Sequence, residues 1–83
     1  MTAEEIFGVV AACIREVEPE MENTPIAPAD SLKLLGLPSV ARVEVLMLVM
    51  EKLGIAIPTS ELVSARNIAD LVGLFERRLN RSI

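Results

Sequence analysis

Eighty-three residues make one small domain, 1–83, whose modest core has to be filled economically. Hydrophobic residues are 52% of the chain but only two are aromatic, Phe7 and Phe75, so the interior is built from Leu, Ile, Val, Met and Ala in the manner of a helix bundle. A net charge of -4 without clustered Lys or Arg excludes nucleic-acid binding and suits basic protein partners, while the lack of histidine and the single thiol, Cys13, exclude a zinc site and any Ser–His or Cys–His catalytic pair.

Thr2 and Glu5 form a capping-box pattern, and Ile6, Val9, Val10, Cys13, Ile14 and Val17 then recur at helical spacing, which predicts a first helix over Ala3 to Val17. Cys13 falls on that apolar stripe and reads as a small buried hydrophobe. One cysteine forms no intrachain disulfide, and the N-terminus lacks the basic flank and apolar run of a signal peptide, so the cytoplasm is the expected compartment. Pro19, Pro25 and Pro28 open a long loop that runs to about Pro38, with Ile26, Leu32 and Leu35 as its expected apolar anchors.

Ser39 follows Leu35-Gly36-Leu37-Pro38 and stands at the expected mouth of a second helix, about Val40 to Leu53, as its N-cap. The free N–H groups and positive dipole end of such a helix are hospitable to phosphate. Val43, Leu46, Met47, Met50 and Leu53 trace one apolar stripe, which is the expected core face. Val45, Leu48 and Val49 lie off it, so this helix is hydrophobic almost all round, which implies burial on more than one side or an exposed contact face. Its run from Val45 to Met50 falls short of the ~20 apolar residues that span a bilayer. Gly54 ends the helix, Ile55 and Ile57 point one way, and Pro58 blocks continuation. Ser60-Glu61-Leu62 marks a short third helix or a single turn. Asn67 caps a fourth over Ile68 to Leu79, with Ile68, Leu71, Val72, Phe75 and Leu79 in period. Arg77, Arg78 and Arg81 sit at its negative end, and Gly73 is placed to admit a neighbouring helix.

Leu35, Gly36, Ser39, Val43, Glu44, Leu53, Ile55, Ile57 and Pro58 fall in step with the acyl carrier protein family, whose modified serine lies in a Leu-Gly-x-Asp-Ser-Leu context followed by an apolar and acidic helix and an Ile-x-Ile-Pro segment. The resemblance covers nearly the whole chain and implies an all-α, small four-helix bundle with a long first loop and a short third helix. It departs at the motif itself, where the family's aspartate is Pro38 and its leucine is Val40. Asp30-Ser31-Leu32 spells the familiar tripeptide, yet a helix opened by Ser31 meets Gly36 and Pro38 within two turns, and an interior proline costs ~3 kcal/mol or more.

The resemblance therefore implies a free-standing acyl or peptidyl carrier. A phosphopantetheinyl transferase attaches 4'-phosphopantetheine to Ser39, and acyl-loading and acyl-processing enzymes use the arm's thioesters in polyketide, nonribosomal peptide or related biosynthesis. It also implies partner contact along the second helix, here through Val40, Ala41, Arg42, Glu44, Met47, Leu48 and Glu51, a less acidic surface than the family's. The chain is expected to be a monomer with weak self-association. The competing reading is a carrier-like interaction module, never pantetheinylated, that uses its apolar second helix to dimerise or hold a partner.

Overall fold

The computed structural model describes residues 1–80, which form four helices, α1 (Ala3–Val17), α2 (Ser39–Leu53), α3 (Thr59–Leu62) and α4 (Ile68–Asn80), with a 3-10 turn at Pro19–Met21 and no strand among the described residues. Arg81 lies outside them. No described helix is long and apolar enough to cross a membrane.

The capping box forms at the start of α1. Thr2 Oγ1 accepts from the Glu5 N–H at 3.2 Å, and Glu5 Oε1 accepts from the Thr2 N–H at 2.9 Å, a bond that holds the Glu5 carboxyl below its ordinary range. The helix packs against both α2 and α4. Ile6, Val10, Ala11, Cys13 and Ile14 are buried, while Val9 and Val17 of the expected stripe are only half-buried at its edges. Burial pushes the Cys13 thiol up, which keeps it protonated and unreactive.

The long loop is ordered by anchors of two kinds. Leu32 is buried, and Ile26 and Leu35 pack against the core, as expected. Met21 and Leu37 are buried as well, although no periodicity in the loop marks either. Backbone bonds do the rest. The first-turn N–H groups of Ile68 and Ala69 donate to the carbonyls of Asp30 and Pro28, both at 2.9 Å, so the loop satisfies helix-start donors of α4 that would otherwise need water. Arg15 Nη2 donates to the Thr24 carbonyl at 3.2 Å and ties the loop's first half to α1.

The register of α2 differs from the expected one. Its buried face is Ala41, Val45 and Val49, spaced four apart, whereas Val43 and Met47 are 55% and 61% exposed. Leu46, Met50 and Leu53 flank the core and are partly covered. Apolar residues at nearly every angle give this helix no preferred side, so packing on α1 selects the face, and small or β-branched side chains occupy it. Ala41 consequently belongs to the core and not to a partner surface. Leu48, also expected at the partner surface, is half-buried against the core.

Gly54 ends α2 in the left-handed conformation (φ 69°), Ile57 is buried, and α3 is the single turn expected. Asn67 Oδ1 accepts from the Asp70 N–H at 2.9 Å, while Asp70 Oδ2 accepts from the Arg66 N–H at 3.0 Å, so α4 starts on its expected cap. Arg78, expected as a solvated terminus, instead reaches Glu61 of α3 at 3.0 Å. Lys52 of α2 pairs similarly with Glu16 of α1 at 3.0 Å.

No helix approaches Gly73. A methyl placed there would meet only Arg77 Nη1, at 3.9 Å, and one at Gly8 of α1 would meet nothing within 4 Å. Both glycines are helical without positive φ. Gly8→Ala and Gly73→Ala are each expected to stabilise the fold by about 0.5–1 kcal/mol, raising the urea midpoint with an unchanged slope. A lower midpoint for either would show a contact the open geometry denies.

Candidate functional site

The site is built where the long loop becomes α2. Residues 31–36 make one turn. Ser31 Oγ accepts from the Leu34 N–H and the Ser31 carbonyl from the Leu35 N–H, both at 3.0 Å, and Gly36, at φ 94°, breaks it off. Only glycine adopts that backbone readily. Leu37 is then buried and returns an N–H to the Leu32 carbonyl at 3.1 Å, which fixes where the chain re-emerges. The hydroxyl of Ser31 is thus engaged in its own turn, and no long helix follows it.

Pro38, not Ser39, occupies the N-cap position of α2, with φ -66° and ψ 163°. Its fixed φ and missing N–H suit the last non-helical residue, so Ser39 moves one place inside and becomes the first helical residue. The consequence is chemical. Since the Ser39 hydroxyl does not cap the backbone, it stands exposed and accepts one bond, from Arg42 Nη2 at 2.9 Å, leaving its own hydrogen free. The helix start has no side-chain cap and no acid in its first turn, and its positive end is therefore uncompensated.

Ser39 stands at the rim of an open groove of about 480 Å³ between α2 and the α3 region. Val43, Leu46, Leu62, Val63 and Leu71 give it apolar walls, and Lys33, Arg42 and Arg66 give it positive charge. Sequence reasoning missed the contributions of Lys33, Val63 and Arg66. They come from a turn and from residues just past α3, where no periodicity announces a shared surface.

Beside the groove, Val40 (71% exposed), Val43 and Met47 make an apolar strip along α2, with Glu44 and Glu51 exposed next to it. Of the residues expected to meet partners, Val40, Glu44, Met47 and Glu51 stand exposed, and Arg42 is half-buried and bonded to Ser39. Towards α1 the surface turns acidic. A hydrogen bond with Glu20, aided by the charges of Glu20 and Glu44, raises the Glu18 carboxyl above its ordinary range, and the same hydrogen bond lowers Glu20.

The family model of the phosphopantetheine attachment site matches residues 8–75, which include this whole arrangement. The chain belongs to the phosphopantetheine-binding carrier protein family. It is 39% identical over 71 residues, 86% of this chain and 87% of the other, to the polyketide biosynthesis acyl-carrier-protein AcpK of Bacillus subtilis (strain 168). It also superposes with a TM-score of 0.83 and 45% identity, covering 90% of this chain and 96% of the other, on the carrier chain in the crystal structure of the curacin biosynthetic pathway HMG synthase in complex with acetyl donor-ACP. The fold of this carrier protein is thus the expected four-helix acyl-carrier type. Its cofactor is a covalently attached 4'-phosphopantetheine.

The residues of this carrier fit that group. Attachment needs an exposed hydroxyl with a free hydrogen, a local positive potential for the phosphodiester and open space beside it, and Ser39, Arg42 with the helix start, and the groove provide these in turn. When bound, the group supplies a terminal thiol that carries acyl chains as thioesters.

Proposed function

We propose that this chain is an acyl carrier of polyketide biosynthesis, working in the cytoplasm, with Ser39 as the residue that bears the arm. The observation that carries the site is the exposed Ser39 hydroxyl in the first turn of α2, unspent on capping, set against a half-buried Ser31 whose hydroxyl accepts from its own turn and which no long helix follows. The carrier itself performs no catalysis. A phosphopantetheinyl transferase modifies it, and acyl-loading and acyl-processing enzymes read the strip of Val40, Glu44, Met47 and Glu51 beside the arm. The curacin carrier is an acetyl donor seen with an HMG synthase, and at 45% identity its likeness supports an enzyme of that kind as a partner here.

Intact mass after incubation with coenzyme A and a promiscuous transferase tests the reading. The wild type and Ser31→Ala are expected to gain one arm, and Ser39→Ala none. An arm that survives Ser39→Ala overturns the site. A folded wild type that gains none under forcing conditions favours the unmodified interaction module, the reading for which the missing aspartate at Pro38 speaks.

A further inference from the structure

We propose that Arg42 is a positioning residue for the modification of Ser39, holding the hydroxyl during transfer and the phosphodiester afterwards; this rests on Ser39 being the attachment site. Arg42 lies three residues after Ser39, one helical turn on, and its Nη2 donates to Ser39 Oγ at 2.9 Å. Among the described residues it makes no ion pair with a carboxylate. The groove it lines carries three of the chain's eight cations, Lys33, Arg42 and Arg66, and none of its twelve acids. Of these, Arg66 approaches Asp70 only at 3.9 Å. On a chain of net charge -4, this rim of one sign is built for an anion.

In the transfer, Ser39 Oγ forms a bond to the phosphorus that bears the pantetheine of coenzyme A. The bond from that phosphorus to the bridging oxygen of the pyrophosphate breaks, the nucleotide leaves with the electron pair, and the serine proton passes to a base of the transferase. An N–H held on Oγ stabilises the charge that develops as this proton departs, and it leaves the serine hydrogen free to be taken. After transfer, the phosphate oxygens lie two bonds from the atom the guanidinium already touches. A charge-assisted bond to phosphate is roughly twice as strong as one to a neutral oxygen, and the planar fork of arginine suits two phosphate oxygens at once. Arg42 therefore gives this carrier a positive counterpart to the arm, one turn after Ser39.

The test compares the wild type with Arg42→Ala, Arg42→Gln and Arg42→Lys, each checked for an unchanged thermal melt. Loading by a promiscuous transferase is expected to fall about three- to tenfold in kcat/KM for the Ala and Gln variants and to be partly retained by Lys. The second measurement needs no partner enzyme. The 31P resonance of the attached arm is expected to move between wild type and Arg42→Ala, towards its position in high salt, where the ion pair is screened. Equal rates with an unmoved 31P resonance overturn the proposal while leaving Ser39 as the site. A slower rate with an unmoved resonance also overturns it, because Arg42 is then read by the transferase and does not hold the phosphodiester. A wild type that carries no arm on Ser39 instead refutes the site reading itself.

Discussion

Phe75→Ala is expected to remove a large part of the stability of this protein. Phe75 is fully buried on α4 and is the largest completely enclosed side chain in the core. It packs in the single cluster that joins α1, α2 and α4 with the buried loop residues Met21, Leu32 and Leu37. Truncating a buried phenylalanine costs about 3–5 kcal/mol, partly in lost transfer free energy and partly in the cavity left behind. A domain of this length has a total stability of roughly 4–12 kcal/mol. Urea unfolding followed by circular dichroism is expected to show the midpoint falling by about a quarter or more, or no folded baseline at all. A loss below ~1 kcal/mol would mean that the neighbours collapse into the space and that the core is looser than its burial implies. Phe7, the other aromatic, is only half-buried and cannot substitute for it.

The second large effect separates the two sides of α2. Val45→Glu is expected to unfold the protein, since Val45 is fully enclosed and an unpaired carboxylate there costs several kcal/mol. Met47→Glu, two residues on and 61% exposed, is expected to leave stability within about 0.5 kcal/mol while weakening acyl transfer to or from a partner enzyme. Thermal melts of both variants and thioester transfer by the second are the measurements. If Met47→Glu unfolds the chain and Val45→Glu does not, the helix is turned as its periodicity alone implies, with Val43 and Met47 inside.

That contrast marks the boundary between what the residues announce and what packing decides. The ends of the helices were legible because they rest on local chemistry. The Thr2–Glu5 box, the left-handed Gly54 and the Asn67 cap each involve residues within a turn of one another, and each forms as read. The faces of α1 and α4 were legible for a related reason: each carries one apolar stripe opposite a polar side, so only one orientation buries it. The absence of a long helix after Ser31 was equally local, since Gly36 and Pro38 stop any helix begun there.

The sequence by itself thus determined the number of helices, their limits to within one residue, the all-α class and the absence of a long helix after Ser31. Tertiary structure alone decided three things. It chose the buried face of α2, because a helix apolar at almost every angle has no intrinsic side and only contact with α1 assigns Ala41, Val45 and Val49 to the core. It ordered the loop, because the carbonyls of Pro28 and Asp30 find their donors on α4, some forty residues away, and no local pattern encodes such a bond. It also assembled the groove, because Lys33, Arg42 and Arg66 come from three separate segments and become one positive rim only when those segments meet beside Ser39.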